Sequence, residues 1–307
     1  MKPSPEQYGR IDIAMGYDAG YAPHAAAVLA SVVAYAPGQR FRFIILYCDM
    51  DDKLRKRVES VAPDQEWVWI EVREEDLPEF VSRDYFNRTT LFRLGLERLA
   101  PADCERVLYL DADIALLRDV RELWTADLKG QPLGAVPDAY IDPEEWRQGR
   151  GLEPGGDYLN AGVLLVDLAM VREEKLFSKS IDYLATHQKE CYFYDQDAMN
   201  YAFWKHWTPL EAIWNVQRHM SQPEIVHEIP EHRRLNGRMP ALIHYLGKDK
   251  PWQPHAWHPW AWAYWRGLRR TDFVKDVARS NGLGPLARFR LWLRWLRRSP
   301  ARIVSRL

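Results

Sequence analysis

The sequence has 307 residues and a formal net charge of −1, with 47% hydrophobic and 28% charged residues. This composition is typical of a globular protein with a sizeable core, and the near-zero net charge gives no indication of a nucleic-acid partner. The three cysteines lie far apart without a C-x-x-C pair, which disfavours a zinc ribbon or a disulfide framework. Because the first ten residues are polar and no run approaches about 20 apolar residues, we expect neither a signal peptide nor a transmembrane helix.

The order of apolar runs and helical segments predicts an α/β protein. The first elements are a strand at 11–15, a helix at 24–36, a strand at 41–48, a helix at 51–61 and a strand at 67–72. This β-α-β-α-β order is typical of a parallel, doubly wound sheet. Later predicted elements are helices at 89–99, 168–187 and 195–203 and strands at 107–110, 133–136, 158–166 and 241–245. The Gly- and Pro-rich segment 137–157 is predicted to be a binding loop or a lid.

Two carboxylates follow the apolar strand at 107–110. Asp111 and Asp113 are two residues apart, so in extended backbone they point to the same side. Ligands of open α/β folds bind outside the carboxyl ends of the strands. Such a pair can therefore hold a divalent cation, which in turn can hold a diphosphate. The alternative is that Asp111 caps a turn while Asp113 is solvated, and the spacing alone does not decide between the two.

A second acidic cluster, Asp195-Gln196-Asp197, opens a predicted helix. Carboxylates are favoured at a helix N-terminus, so capping is the structural alternative to a role in catalysis. A third group is His244, Gly247 and Lys250 at the last predicted strand. A neutral imidazole can complete an Asp-Asp metal site, and a lysine can bind a phosphate. The alternative is a core histidine beside a surface lysine.

Two further polar residues lie within apolar segments. Asn160 interrupts the strand at 158–166, and Arg93 lies in the helix at 89–99. A buried amide without a partner costs about 1–3 kcal/mol, so Asn160 is expected to bond a sugar hydroxyl, a neighbouring carboxylate or local backbone. Arg93 is expected to pair with a structural carboxylate or a ligand phosphate.

Several motifs of other enzyme classes are absent from the sequence. It contains no G-x-G-x-x-G after the first strand, no P-loop and no G-x-S-x-G, which disfavours the usual dinucleotide fold, P-loop enzymes and α/β-hydrolases. A strand that ends in D-x-D also opens phosphatases with an aspartyl nucleophile, although Ala115 stands where those enzymes normally have Thr or Val. A non-catalytic module that binds sugar-nucleotides at a membrane is a third interpretation.

The C-terminal segment 286–298 reads LARFRLWLRWLRR. At helical spacing its apolar residues form one face and its arginines the other, a pattern typical of helices that lie at a membrane surface. Basic residues near an anionic leaflet contribute about 1 kcal/mol each. The alternative is a terminal helix that docks on the domain.

Five segments in order resemble glycosyltransferase family 8, and in particular its bacterial lipopolysaccharide α-galactosyltransferases and glucosyltransferases. They are IDIAMGYDAGYA, TTLFRLGLERLAPADCERVLYLDADI, YLNAGVLLVDL, YDQDAMNYAF and IHYLGKDKPW, which span residues 11 to about 252. The sequence departs from the family at Gly20, where Asn is frequent, and in the segment 137–157.

The resemblance implies a GT-A fold, a mixed and mainly parallel sheet flanked by helices. It also implies a retaining hexosyltransferase that uses a UDP-sugar and Mn2+ or Mg2+. By motif position the metal ligands would be Asp111, Asp113 and His244. The nucleotide-sugar would contact Asp18, Arg93, Asp111, Ala112, Asn160, Gly247 and Lys250. The catalytic residues would be Gln196, Asp195 and Asp197.

The remaining expectations concern the organisation of the chain and its partners. We expect a glycosyltransferase domain over 1–270 and a basic, amphipathic helical tail over 271–307 that associates with membrane. The expected partners are a UDP-sugar donor, a saccharide or glycolipid acceptor and the anionic inner leaflet of the cell membrane, with no nucleic acid. Such a protein would be cytoplasmic and peripheral to the inner face of that membrane.

Overall fold

The computed structural model describes residues 8–76, 88–221, 228–248, 250–254 and 258–298. In the N-terminal half the elements are β1 (Arg10–Asp18), α1 (Ala22–Tyr35), β2 (Arg40–Cys48), α2 (Asp52–Glu59), β3 (Glu66–Glu71), α3 (Leu96–Leu99), β4 (Arg106–Leu110), β5 (Ile114–Leu116), α4 (Arg121–Trp124), β6 (Leu133–Pro137) and α5 (Pro143–Trp146). In the C-terminal half they are β7 (Leu159–Asp167), α6 (Leu168–Glu174), α7 (Leu176–His187), α8 (Asp195–Ala202), β8 (Thr208–Pro209), β9 (Leu242–His244), α9 (Ala261–Leu268), α10 (Val274–Ser280) and α11 (Pro285–Arg298).

A seven-stranded mixed sheet runs through the protein in the order β3-β2-β1-β4-β7-β6-β8. All pairings are parallel except those of β7, which is antiparallel to both β4 and β6. Apolar side chains cover both faces, because α1 and α9 pack on one face and α3, α7 and α8 on the other. The near-continuous apolar strands of the sequence follow from this two-sided burial.

A second, two-stranded sheet pairs β5 with β9 at the end of β4. The chain leaves the large sheet at Leu110, turns through 111–113 and re-enters extended backbone at Ile114. The backbone N–H of Asp111 still donates to Gly162 of β7, and the N–H of Tyr245 donates to the Asp113 carbonyl. The turn that carries both carboxylates is therefore held between β7 and β9.

Two predicted helices differ from the structure. The prediction of one helix over 168–187 is wrong, because Lys175 adopts a left-handed conformation with φ of 55° and divides it into α6 and α7. The predicted helix over 89–99 is a 3-10 helix over Arg88–Gly95 that continues as one α-helical turn, α3.

The C-terminal helices differ in how they meet the domain. In α10, Val277 is buried in the same core as α1 and α9, together with the preceding Phe273. Arg57 of α2 also pairs with Asp272 and Asp276. Helix α11 instead exposes Leu286, Phe289 and Trp292, with 62%, 53% and 50% of their surface accessible. Over the described residues, no helix is both long and apolar enough to cross a bilayer. Residues 299–307 of the predicted tail lie outside the described residues.

Candidate active site

A pocket of about 420 Å³ opens where β1 and β4 end and where β7 begins. Ten of the twelve residues that the sequence singles out line it. They are Arg93, Asp111, Ala112, Asp113, Asn160, Asp195, Gln196, His244, Gly247 and Lys250. Asp18 and Asp197 are not among the lining residues. The strand-end position of the pocket is the one that open α/β folds use for ligands.

Asp111, Asp113 and His244 converge in this pocket. The pairing of Ile114 with His244 brings the turn 111–113 beside the imidazole. His244 Nε2 lies 3.2 Å from Asp113 Oδ1 and 3.7 Å from Asp111 Oδ2. One ligand atom of each residue lies within 4.8 Å of the others. Gly162 permits this approach, because a Cβ there would lie only 2.1 Å from His244 Cε1.

The three side chains fit a hard divalent cation. Ligand atoms at about 2.1 Å from an octahedral ion lie about 3 Å apart, close to the separations observed here. Asp113 Oδ1 is buried and, among the described residues, has no hydrogen-bond partner. Two carboxylates and one imidazole form an oxygen-rich donor set that suits Mn2+ or Mg2+.

Two basic side chains bind the acidic pair from opposite sides. Lys250 Nζ donates to Asp113 Oδ2 and, at 2.6 Å, to the Tyr245 carbonyl. Burial alone would raise the pKa of Asp113, but the Lys250 ammonium beside it holds that pKa well below its usual range. Asp111 differs, since burial raises its pKa and the Asp113 charge adds to this, while Arg93 opposes both.

Arg93 joins the acidic pair to the second acidic cluster. Its guanidinium pairs with Asp111 Oδ1 at 2.8 Å and with Asp195 Oδ2 at 2.9 Å, and it also donates to the Ala161 carbonyl. Asp195 therefore does not simply cap α8. Its burial raises its pKa to about 7, even though Arg93 acts in the opposite direction. Arg93 thus neutralises two carboxylates that face the same pocket.

The side chains of Asn160 and Gln196 both donate to Asp138, a residue that the sequence analysis does not single out. Asn160 Nδ2 donates to Asp138 Oδ2 at 2.8 Å, and Gln196 Nε2 donates to the same oxygen at 3.3 Å. Asp138 follows β6 directly, so it obeys the same strand-end rule as Asp111 and could have been found by it. Tyr140, two residues later, also lines the pocket with 44% of its surface exposed.

Asp197 is buried outside the pocket, and both of its carboxylate oxygens accept hydrogen bonds. Its Oδ1 accepts from Trp146 Nε1 at 2.6 Å and from the Tyr158 hydroxyl at 2.7 Å, while its Oδ2 accepts from the Phe193 N–H at 2.6 Å. Only 2% of the residue is exposed. The geometry is that of an anchor that ties α5, in the segment 137–157, to the start of α8.

Three other singled-out residues have simpler surroundings. Asp18 ends β1, and its Oδ1 accepts from the backbone N–H of Tyr21 at 3.1 Å. Ala112 lies between the two carboxylates and is 7% exposed. Gly247 has a φ of 65°, a conformation that favours glycine, and no atom lies within 4 Å of where its Cβ would be.

Comparison with known proteins assigns the family. The model of the family described as "Glycosyl transferase family 8" matches residues 12–256. The chain belongs to glycosyl transferase family 8. This membership confirms the family that the ordered motifs predicted, and with it the prediction of a glycosyltransferase. It also disfavours the phosphatase interpretation of the D-x-D strand.

Relatives within the family differ in length. Lipopolysaccharide 1,2-glucosyltransferase of Escherichia coli strain K12 is 25% identical over 279 residues, which cover 88% of this chain and 80% of the relative. Glycosyltransferase GlyF of Streptococcus pneumoniae serotype 4 is 29% identical over 181 residues, covering 59% of this chain and 42% of GlyF. This family 8 chain therefore spans less than half of GlyF.

Solved structures share the fold. The galactosyltransferase LgtC, in complex with donor and acceptor sugar analogs, matches with a TM-score of 0.77 at 25% identity, covering 88% of this chain and 100% of LgtC. The WbbM bifunctional glycosyltransferase matches with a TM-score of 0.71 at 18% identity, which bears on the fold alone. These matches confirm the GT-A fold that the sequence predicts for this family 8 member.

Proposed function

We propose that the protein is a metal-dependent, retaining hexosyltransferase. It would move galactose or glucose from a UDP-sugar to a saccharide or glycolipid acceptor, in the synthesis of lipopolysaccharide or another cell-surface glycan. The observation that carries this proposal is the convergence of Asp111, Asp113 and His244 in one pocket with Arg93 and Lys250. The names of the Escherichia coli glucosyltransferase and of LgtC support the sugar class.

The pocket has the charges that departure of a nucleoside diphosphate needs. A divalent cation on the three ligands would offset negative charge on the leaving group, and at about 4 Å with an effective dielectric near 20 one unit-charge pair contributes about 4 kcal/mol. Lys250 would bind the diphosphate as a point charge, and Gly247 would let the diphosphate approach the backbone closely. Asp18, at the end of β1, is the proposed contact of the uracil.

The sugar would lie between Arg93, Asn160, Asp195 and Gln196. The Gln196 side chain makes three hydrogen bonds, since its Oε1 accepts from the Ala161 N–H at 3.0 Å and its Nε2 donates to Asp138 at 3.3 Å and to the Tyr158 hydroxyl at 3.4 Å. An amide in this position is a poor nucleophile but can orient a sugar face. We therefore favour attack by the acceptor on the face that the diphosphate leaves, through an oxocarbenium-like state, over a covalent glycosyl-enzyme.

The buried carboxylate Asp197 supports this preference. Its two oxygens accept three hydrogen bonds, and it is buried and not among the residues that line the pocket, so it is not placed to attack the sugar. We propose that it acts on catalysis only by holding the segment 137–157. Mass spectrometry after a short reaction with a slow donor tests this point. We expect no sugar adduct, and an adduct on Asp195 or Asp197 would contradict the same-face route.

The metal-dependent function is tested by a thermal-shift panel of nucleotide-sugars with and without Mn2+. Ligand at about a hundred times its dissociation constant should raise the free energy of unfolding by about 2.7 kcal/mol. Asp113→Asn should abolish the Mn2+-dependent shift and the transfer of sugar, while Asp127→Asn, which removes an exposed carboxylate outside the pocket, should retain both. Turnover and shifts that are unchanged in Asp113→Asn would contradict the proposal.

We further propose that α11 binds an anionic membrane surface. Leu286, Phe289 and Trp292 form an exposed apolar stripe, with Phe289 and Trp292 stacked at 5.8 Å, and arginines follow in the sequence. Because Leu283 is buried, we place the start of this tail after Gly284 rather than at residue 271. We propose that the protein would thereby lie at the cytoplasmic face of the cell membrane.

Sedimentation with vesicles tests the tail. We expect the full chain and a Tyr192→Asp control to pellet with phosphatidylglycerol-containing vesicles, whereas a chain ending at Gly284 and Trp292→Asp should remain in the supernatant. Tyr192 is a suitable control because it is an aromatic residue outside α11 that is even more exposed than Trp292, at 67% against 50%. Pelleting of the truncated chain would contradict the role of α11.

A further inference from the structure

Asn215 is a fully buried amide beside the metal site that the sequence does not single out. Its Oδ1 lies 3.0 Å from His244 Nδ1, and its Nδ2 lies 2.8 Å from Asn160 Oδ1. The next residue, Val216, forms a bridge with Ile243, and its carbonyl accepts the His244 backbone N–H at 3.0 Å. These backbone contacts hold the Asn215 amide next to Nδ1 of the His244 imidazole.

The direction of these hydrogen bonds follows from two groups that can act in only one way. The backbone N–H of Gly162 can only donate, and it lies 3.1 Å from Asn160 Oδ1. The Asp138 carboxylate accepts from Asn160 Nδ2 at 2.8 Å. These two contacts fix the orientation of the Asn160 amide, so Asn215 must present its Nδ2 to Asn160 and its Oδ1 to the ring. His244 Nδ1 consequently carries a proton and donates it to Asn215.

We propose that Asn215 is a positioning residue that holds His244 as the Nδ1–H tautomer. The Nε2 lone pair then faces the point shared by Asp111 and Asp113. A metal-binding histidine is usually oriented by a hydrogen bond from its second ring nitrogen to a neighbouring group. Here that group is the Asn215 amide, which is itself hydrogen-bonded through Asn160 to Asp138. The inference rests on the proposed metal site.

Without Asn215, the neutral ring would place its proton on the other nitrogen. Asp113 Oδ1 lies 3.2 Å from His244 Nε2 and would accept that proton. The proton would then occupy the side of the ring from which a cation has to bind. Loss of an outer partner of a metal ligand typically weakens metal binding by about 10–100-fold, and we expect a loss of that size.

The series of hydrogen bonds that starts at His244 continues through Asn215 and Asn160 to Asp138 and beyond it. The Asp138 oxygen that accepts from Asn160 also accepts from Gln196 Nε2 at 3.3 Å. Gln196 is the residue proposed to orient the sugar. The orientation of the metal-binding imidazole and that of Gln196 are therefore set by one carboxylate through continuous hydrogen bonds.

Two variants of Asn215 separate this role from packing. Asn215→Leu has a similar shape but cannot accept the Nδ1 proton, while Asn215→Asp keeps an acceptor for it. Long-range ¹H–¹⁵N spectra of metal-free protein with ¹⁵N-labelled histidine, at about pH 8.5, report which ring nitrogen is protonated, and His244→Gln assigns the resonance. We expect protonated Nδ1 in the wild type and in Asn215→Asp, and protonated Nε2 in Asn215→Leu.

Binding of Mn2+ in the presence of UDP, followed by the electron paramagnetic resonance of the free ion, provides the second measurement. We expect Asn215→Leu to bind about 10–100-fold more weakly than the wild type, and Asn215→Asp to recover most of the loss. A wild-type ring protonated at Nε2 would overturn the inference without any variant. Equal Mn2+ affinity of the wild type and Asn215→Leu would overturn the role of Asn215 but not the proposed function. A wild type that binds no Mn2+ would overturn both the role of Asn215 and the metal-dependent function.

Discussion

Replacement of Gly162 by alanine should displace the His244 imidazole from the proposed metal site without removing any of the three ligands. The added Cβ would lie 2.1 Å from His244 Cε1, 2.7 Å from His244 Nδ1 and 2.9 Å from Asp111 Oδ2. Ordinary contact between carbon atoms begins near 3.5 Å, so the imidazole would have to retreat by about 1.4 Å. Metal sites tolerate ligand displacements of only about 0.2 Å, and Asn215 closes the space behind the ring.

Two effects of Gly162→Ala are therefore expected. Overpacking should lower the free energy of unfolding by about 1–3 kcal/mol. The affinity for Mn2+, measured by calorimetry in the presence of UDP, should fall by more than the roughly 10–100-fold that a lost outer partner causes, because a ligand itself is displaced. Gly134→Ala is the matched control, since its Cβ would lie 2.7 Å from Leu128 Cδ2, away from the pocket. Full Mn2+ affinity in Gly162→Ala would refute the reasoning.

Three further predictions concern the charges around the pocket. Folding raises the pKa of Asp195 to about 7, so between about pH 4 and 7 the native state keeps a proton that the unfolded chain has released. The free energy of unfolding of the wild type, relative to that of Asp195→Asn, should therefore fall by up to about 1.4 kcal/mol per pH unit over this range and then level off. A difference between the two proteins that stays constant with pH in urea unfolding would contradict this. Arg93→Met should lower the free energy of unfolding by about 3–5 kcal/mol, because it leaves Asp111 and Asp195 without their shared cation, and a loss below about 1 kcal/mol would argue against that pairing. Asp197→Ala should cost about 1–3 kcal/mol for each buried donor left unpaired and alter the fluorescence of Trp146, and an unchanged spectrum would show that the anchor is dispensable.

The structure brings together residues that the sequence singles out at strand ends. Asp111 and Asp113 follow one apolar run and His244 ends another, so the strand-end rule makes each of them a candidate ligand, while a turn cap and a core histidine stay open as alternatives until the three side chains are seen to converge. The same rule applies to Asp138 after β6. Apolar runs also predicted the positions of seven strands, β1 to β4, β6, β7 and β9, because burial on both faces leaves a clear apolar pattern, whereas the short strands β5 and β8 were not predicted.

Other features depend on contacts that no local pattern contains. Asn215 lies beside His244 only because the backbone of Val216 bridges to the last strand, and the segment around it has no periodicity. The break at Lys175 occurs where Glu97, which is distant in the chain, accepts hydrogen bonds from the backbone N–H groups of Phe177 and Ser178 at the start of α7. Asp197 looks like a capping or catalytic carboxylate, but Trp146, which is distant in the chain, covers it.

The central claim is that Asp111, Asp113 and His244 bind one divalent cation that carries the donor diphosphate. Anomalous diffraction from crystals soaked with MnCl2 and UDP tests it most directly. The account predicts a single strong anomalous peak within about 2.0–2.3 Å of one atom of each of the three side chains. A peak elsewhere, or diphosphate bound in the pocket with no peak between these residues, would contradict it.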